Sequence, residues 1–159
     1  MSIAKLIKEI EIFQGLSSRQ IDMIATICNE KHYAADQIIF EENTRGDELY
    51  VIIKGEVDIQ LDPALLGKPA NGPQTVATLT RGQSFGEVAL VDDGLRSARA
   101  KSASNTVILV IKHQTLMQLC ASYPELGFII MRNLAADLAM KLRNTDIRMR
   151  ELLRNQPTS

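Results

Sequence analysis

The stretch from Phe85 to Ala98 carries residue types that suit the binding of a phosphate. It reads Phe85-Gly86-Glu87-Val88-Ala89-Leu90-Val91-Asp92-Asp93-Gly94-Leu95-Arg96-Ser97-Ala98. Gly86 precedes a short segment that is compatible with a helix, so backbone N–H groups would remain open to an anion. Arg96 adds a planar, permanently charged fork that fits phosphate oxygens better than an ammonium group would. The stretch therefore predicts a local anion site.

Glu87 is the unusual member of this stretch, because a carboxylate would repel a neighbouring phosphate. It fits only if it accepts hydrogen bonds from a neutral group, and a sugar hydroxyl meets that requirement. A ligand that offers both a monoanionic phosphate and a ribose hydroxyl is a nucleotide monophosphate, of which a cyclic one is the compact form. The alternative is that Glu87 and Arg96 pair with each other across a loop and bind no ligand.

Short runs of β-branched and aromatic residues, separated by turn-forming residues, must hold this stretch in place. They predict strands over Gln37 to Glu42, Leu49 to Lys54, Val57 to Leu61, Thr75 to Thr80, Ser97 to Ser102 and Thr106 to Ile111. The less periodic stretch from Asp62 to Gln74 predicts a surface connection. Strands of this length and spacing are typical of a compact antiparallel sheet system.

Helices are predicted on both sides of the strands. Apolar residues at helical spacing indicate one helix from Ile3 to Phe13, which Gly15 ends. Ser17 and Gln20 have the spacing of a capping box at the start of the next helix. After the strands, a short helix is predicted from His113 to Cys120, and a long one from Pro124 to about Arg154.

The predicted fold class is mainly β with flanking helices. It is an antiparallel β-roll of the double-stranded β-helix or jelly-roll type, with N-terminal helices and a long C-terminal helix. We predict a single domain over residues 1–159, with helices over 3–30, the β-roll over 31–111, C-terminal helices over 113–154 and a polar tail over 155–159. A chain of 159 residues with 45% apolar content is long enough for one ordinary core.

Two segments of the sequence resemble segments of a known protein family. The stretch from Phe85 to Ala98 resembles the phosphate-binding cassette of the cyclic-nucleotide-binding domain superfamily, and Gly46 to Val57 resembles the β-roll core of that family. With the flanking helices, the resemblance extends over about residues 10–155. It implies a β-roll that binds a cyclic mononucleotide, and similarity to bacterial cAMP receptors favours cAMP over cGMP.

The resemblance also implies roles for individual residues. Glu87 is expected to bind the ribose 2′-hydroxyl, and Arg96 the cyclic phosphate. Backbone contacts are expected from Gly86, Val88 and Ala89, and Phe85, Ser97 and Ala98 complete the expected ligand site. Ser97 offers a hydroxyl that could reach the base or the phosphate.

The long C-terminal helix has a second apolar pattern. Read in sevens, alternating a and d positions form a seam of about four heptads, which predicts a parallel homodimer through residues 128–152. The seam residues are Phe128, Met131, Ala135, Leu138, Leu142, Thr145, Met149 and Leu152. In this register Lys141 at g and Asp146 at e have the spacing of an interhelical pair. The alternative is a helix that packs only on its own β-roll.

The same helix is expected to contribute to the ligand site. By analogy with the cAMP-receptor branch of the family, Thr145, with Asn144 and Arg143, would cover the base. The expected mechanism is a population shift, in which the ligand favours a state with the cassette closed and the helix drawn over the base.

Composition excludes several other classes of partner and location. With 18 basic and 19 acidic residues, no global field favours nucleic acid or a membrane surface. The N-terminus lacks the apolar stretch of a signal peptide, and no window has the ~20 apolar residues of a membrane span. Cys28 and Cys120 stand in segments that read as amphipathic helices and are expected to be buried free thiols. We therefore predict a cytoplasmic protein.

Other functions are less well supported by the residues. A cupin-type enzyme needs a cluster of metal ligands, and His32 and His113 are the two histidines of the chain. An iron–sulfur sensor needs about four cysteines, and this chain has two. No recognition helix or basic patch follows Arg154, so direct DNA binding is not expected. We predict no enzyme activity, no metal and no cofactor beyond the nucleotide ligand.

The output of the predicted nucleotide sensor would pass to an unknown protein effector in trans. The remaining alternative is a nucleotide-free interaction and dimerisation module on the same fold.

Overall fold

The computed structural model describes residues 2–67, 71–92 and 94–155. The helices are α1 (Ile3–Ile7), α2 (Ser18–Ile27), α3 (Val88–Asp92), α4 (His113–Ser122) and α5 (Pro124–Arg154). The strands are β1 (Cys28–Tyr33), β2 (Ile38–Phe40), β3 (Glu48–Lys54), β4 (Val57–Leu61), β5 (Gln74–Leu79), β6 (Ser84–Phe85), β7 (Arg99–Ser102) and β8 (Thr106–Lys112). Single 3₁₀ turns cover Glu11–Phe13 and Pro63–Leu66.

The strands form two four-stranded antiparallel sheets. One has the order β1-β8-β3-β6 and the other β2-β7-β4-β5. The chain passes from one sheet to the other at every step between successive strands except from β4 to β5, which is the path of a roll rather than of two successive meanders. The predicted antiparallel β-roll with flanking helices and a long C-terminal helix is confirmed.

The central strands β3 and β8 are buried on both faces. In β3, Leu49 and Val51 point to the helices while Tyr50 and Ile52 point into the roll, as the two-residue period of a strand requires. In β8, Leu109 and Ile111 likewise point to the helices, and Ile108 and Val110 point into the roll. The sheet β1-β8-β3-β6 therefore separates two cores, one inside the roll and one beneath the helices.

The helical core lies on the outer face of this sheet. Its buried helical residues include Ile7, Phe13, Ile24, Leu116, Leu126, Ile130 and Leu134. The helix α2 begins as predicted, because Ser17 accepts a hydrogen bond from Gln20 N at 3.3 Å and donates its backbone N–H to Gln20 Oε1 at 2.8 Å. Asn133 on α5 donates to the carbonyls of Ile12 and Gln14. These contacts dock α5 against the N-terminal segment.

The predicted helix from Ile3 to Phe13 is wrong in its second half. α1 ends at Ile7, Ile10 is extended with ψ 128°, and a 3₁₀ turn follows. The reason is packing, since the successive residues Ile12 and Phe13 are both 1% exposed. A single continuous helix would have turned one of them away from the core.

The boundary between the N-terminal helices and the roll was also placed too late. Cys28 begins β1 rather than ending a helix, and β1 pairs with β8 from Cys28 to Tyr33. Both Cys28 and Cys120 are buried free thiols, as predicted. Burial raises the pKa of the Cys28 thiol to about 12, so this group stays protonated at neutral pH.

Three predicted segments fall partly outside the described residues. Residues 68–70 of the predicted connection, residue 93 of the cassette and residues 156–159 of the polar tail belong to this group. In the rest of the chain, no helix is both long and apolar enough to cross a membrane.

Candidate functional site

Arg96 is held from two directions. Its backbone N–H donates to Thr44 O and its carbonyl accepts from Asn43 N, both at 2.8 Å, which ties it to the turn before β3. Its Nη1 donates to Gly86 O and its Nη2 to Glu48 O, both at 3.0 Å. The residue is 4% exposed. The guanidinium is thus fixed between the start of the cassette and the start of β3.

The surroundings of Arg96 are aromatic and closely fitted. Its Cζ lies 4.3 Å from the centre of the Phe40 ring and 5.4 Å from that of Tyr50, within cation–π range. A Cβ atom at Gly46 would overlap Arg96 Nε and Cζ. A Cβ at Gly86, where φ is +81°, would lie 2.6 Å from Arg96 Nη1. Glycine is therefore required at both positions for the arginine to reach its place.

The charge of Arg96 has no counter-ion within the chain that the structure describes. None of the ion pairs there includes Arg96, and its Nε has no hydrogen-bond partner. A guanidinium carries five N–H groups, of which two donate to the carbonyls described above. A buried cation without a neighbouring carboxylate is unfavourable unless an anion joins it.

Glu87 follows β6 and precedes α3, and it is 5% exposed. Its Oε1 accepts a hydrogen bond from Lys141 Nζ of α5 at 2.9 Å. Its Oε2 has no hydrogen-bond partner among the atoms of the described chain. Glu87 and Arg96 form no ion pair with each other in that part of the molecule, so the alternative of simple mutual pairing is not observed.

The other predicted cassette residues have mixed surroundings. Phe85 is buried in β6 and stacks on Tyr50 with ring centres 5.0 Å apart. Val88 and Ala89 lie in the first turn of α3, as the predicted short helix requires. Ala98 is half-buried, and Ser97 is exposed. The cassette therefore combines a rigid aromatic floor with an open edge at Ser97.

The residues proposed to cover the base, Arg143, Asn144 and Thr145, are all exposed on α5. Thr145 Oγ1 donates to the carbonyl of Lys141, one turn earlier in the same helix, at 3.0 Å. Their place in a ligand complex stays a prediction.

Sequence reasoning missed five residues that build this site. Phe40, Tyr50 and Glu48 surround Arg96. From α5, Lys141 contacts Glu87, and Asp137 forms an ion pair with Lys141. A signal for the last two was present, because Asp137 and Lys141 continue the buried face formed by Leu126, Ile130 and Leu134 at helical spacing. No comparable pattern marks the Arg96 partners, which are brought together by sheet pairing.

Tyr50 completes a polar contact at the floor of the site. Its hydroxyl donates to Glu48 Oε2 at 2.8 Å. Burial, together with this hydrogen bond to Glu48, raises the pKa of Tyr50 above its usual value, so the hydroxyl remains a neutral donor. Across the part of the chain that the structure describes, no group of three or more His, Cys, Asp or Glu side chains could hold a metal ion.

Comparison with known proteins agrees with this geometry. The family described as "Cyclic nucleotide-binding domain" matches residues 30–123. The cyclic AMP receptor protein of Thermus thermophilus is 30% identical over 138 residues, which are 87% of this chain and 60% of that protein. A Drosophila melanogaster cGMP-dependent protein kinase, isozyme 2 forms cD5/T2, is 30% identical over 122 residues, or 76% of this chain and 13% of that kinase.

A solved structure shows the same arrangement of elements. The cyclic nucleotide-binding domain of Methylobacillus flagellatus matches with a TM-score of 0.81 at 25% identity, covering 99% of this chain and 84% of that one. The chain spans less than two thirds of the length of either curated relative. The match to the family model covers more than half of the chain, and the solved relative has a similar fold along 99% of it. The chain belongs to the cyclic nucleotide-binding domain family.

Proposed function

We propose that this chain is a cytoplasmic, non-catalytic regulatory module that binds a cyclic mononucleotide between Arg96 and Glu87. Arg96 binds the cyclic phosphate and Glu87 accepts a hydrogen bond from the ribose 2′-hydroxyl. The backbone of Gly86, Val88 and Ala89 completes the phosphate contacts.

The observation that carries this proposal is the buried, uncompensated charge of Arg96. The guanidinium is 4% exposed, and its partners are two carbonyl oxygens and two aromatic rings. None of these neutralises a positive charge. A monoanionic phosphate would do so, and a charge-assisted hydrogen bond from Arg96 would contribute about 1.5–3 kcal/mol.

The second support is the unoccupied oxygen of Glu87. Because Oε1 is already bonded to Lys141, Oε2 is the acceptor left for a neutral donor. A cyclic nucleotide brings the two complementary groups, an anion and a hydroxyl donor, on one small rigid molecule. A simple phosphate ion would satisfy Arg96 and leave Glu87 without its donor.

We propose cAMP as the preferred ligand over cGMP. The support is the similarity to the Thermus protein, whose name specifies cyclic AMP, along 87% of this chain. The Drosophila kinase, named for cGMP, matches a shorter part. The exposed Ser97, where a hydroxyl could reach the base or phosphate, suits either base.

We further propose that α5 carries the output as a homodimer or to a protein effector. From Leu142 to Arg154 every residue of α5 is exposed, a length of about 20 Å at 1.5 Å per residue. The proposed seam residues Phe128, Leu142 and Leu152 are 67%, 63% and 65% exposed. A helical segment of about 13 residues is marginal alone in water, so a partner helix is favoured.

The test of the ligand proposal is parallel isothermal titration of the purified chain with cAMP and cGMP. We expect micromolar or tighter binding of cAMP, and Arg96→Ala should lower the affinity by at least about tenfold, equivalent to 1.4 kcal/mol. The matched control is Arg81→Ala, since Arg81 pairs with Glu9 at the surface and should leave the affinity unchanged. No heat with either nucleotide would contradict the proposal and favour the nucleotide-free dimerisation module, for which the exposed α5 seam is the supporting observation.

A further inference from the structure

Lys141 lies inside the site rather than on the surface of α5. Its ammonium donates to Ser84 O at 2.7 Å and to Glu87 Oε1 at 2.9 Å. It also lies 2.7 Å from Asp137 Oδ2, in an ion pair whose geometry is not that of a hydrogen bond. Two of the three N–H donors of the ammonium are thus used in hydrogen bonds, and the ion pair with Asp137 also holds the group in place. Lys141 is therefore not free to serve as an interhelical partner of Asp146.

These contacts fix the orientation of the Glu87 carboxylate. Lys141 holds Oε1 and leaves Oε2 as the oxygen without a partner in the described chain. Without such a contact, a glutamate side chain could rotate and present either oxygen in several directions. The contact therefore selects one oxygen for a ligand hydroxyl.

Asp137 is a second buried carboxylate, and it shares the Lys141 ammonium with Glu87. Glu87 and Asp137 are 5% and 8% exposed, and Lys141 on α5 forms an ion pair with each of them. Asp137 lies one turn before Lys141 on the same face of α5, at the spacing that allows direct contact. Removing Lys141 would leave two buried carboxylates without their nearest cation, which is strongly unfavourable.

We propose that Lys141, held by Asp137, is a positioning residue of the nucleotide site. It orients Glu87 so that Oε2 receives the ribose hydroxyl, and it makes recognition of that hydroxyl depend on the docking of α5. The inference rests on the proposed function. The link is reciprocal, because a ligand that binds only the oriented carboxylate must favour the docked helix by the same free energy.

The experiment compares two ligands that differ by the hydroxyl group, cAMP and 2′-deoxy-cAMP, by isothermal titration. We expect the wild-type chain to prefer cAMP by at least about tenfold, and Lys141→Met to reduce this ratio to about threefold or less. A purely structural contribution of Lys141 would weaken both ligands equally and leave the ratio unchanged. In a Glu87→Gln background, the ratio should no longer respond to Lys141→Met, since the oriented carboxylate is already absent.

Two further variants keep the test decisive. Arg148→Met removes a cation from an exposed position of the same helix and should change neither affinity. Asp137→Asn removes the ion pair that holds Lys141 but keeps Lys141 itself. The preference of this variant for cAMP over 2′-deoxy-cAMP should therefore lie between the ratios expected for the wild-type chain and for Lys141→Met. This variant provides the test if Lys141→Met does not fold.

The outcomes separate the two proposals. A wild-type ratio preserved in Lys141→Met or Asp137→Asn overturns the positioning role while cyclic nucleotide binding stands. Equal binding of both ligands by the wild-type chain also overturns it. Failure of the wild-type chain to bind either ligand overturns the proposed function itself, and the inference with it.

Discussion

The guanidinium of Arg96 occupies a place that depends on the absence of a side chain at Gly46. Arg96 follows Gly46 by 50 positions in sequence, yet its Nε and Cζ lie where a Cβ of residue 46 would be. The backbone at Gly46 does not have a positive φ, so alanine would bring no conformational strain there. The requirement for glycine at this position is therefore steric and specific to Arg96.

This residue-scale fit predicts the behaviour of Gly46→Ala. The new methyl group should displace the Arg96 guanidinium and lower cAMP affinity by about tenfold. The melting temperature should also fall, because the displaced guanidinium leaves the carbonyls of Gly86 and Glu48 without their donor. Calorimetric titration together with thermal unfolding measures both effects. In an Arg96→Ala background, Gly46→Ala should have no further effect on affinity, and an additive loss would show that it acts elsewhere.

At the scale of the element, α5 divides into three consecutive segments with different surroundings. Leu126, Ile130 and Leu134 are buried in the helical core, and Asp137 and Lys141 reach the cassette. From Leu142 to Arg154, every residue of α5 is exposed. One continuous helix thus joins the core, the proposed ligand site and an exposed apolar surface.

The free segment of α5 predicts a concentration-dependent homodimer. The double substitution Leu142→Lys with Leu152→Lys places charges in the seam and should convert the dimer to a monomer in analytical ultracentrifugation. Ile147→Lys is the matched control, since Ile147 is 52% exposed but lies at heptad position f, away from the seam. A wild-type chain that sediments as a monomer at high micromolar concentration would contradict dimerisation through this helix.

At the scale of the whole molecule, the site connects the two cores. Phe85 and Tyr50, which floor the cassette, belong to the core inside the roll, whereas α5 belongs to the helical core on the other face of the same sheet. The contact of Lys141 with Glu87 and Ser84 links α5 to the roll at the cassette. A ligand that binds there can therefore shift the position of α5 through its differential affinity for the docked state.

This connection predicts a ligand effect that extends beyond the cassette. With cAMP at 100 times its Kd, the folded state should gain about 2.7 kcal/mol and melt at a higher temperature. Hydrogen exchange should slow both in residues 84–92 and in α5 around Asp137 and Lys141. Slower exchange in the cassette alone, with α5 unchanged, would contradict the coupling. Arg96→Ala at the same ligand concentration provides the reference for non-specific effects.

Much of the architecture followed from local patterns. The strand β4 has its predicted bounds, Val57 to Leu61, which its alternation of apolar and polar residues indicates. Burial does not follow that alternation to the end of the strand, because a register shift lies between Ile59 and Gln60, and Gln60 is buried while Leu61 is 40% exposed. The capping box at Ser17 and the start of α5 at Pro124 depend on neighbouring residues only, and both were predicted correctly. Elements with weak local patterns were missed, such as the two-residue β6 and the polar edge strand β1, whose residues from Asn29 to His32 are exposed.

The sequence by itself determined the order of elements, the family and the residue types of the cassette, because these depend on periodicity and on residues close together along the chain. The tertiary structure alone decided which partners those residues meet. Lys141 reaches Glu87 across 54 positions, and Glu48 offers its carbonyl to Arg96 across 48. Such contacts depend on loop closure, sheet register and the docking angle of α5, none of which is encoded in a local pattern. For the same physical reason, the burial that supports the proposed roles of Arg96 and Lys141 became visible only in the folded chain.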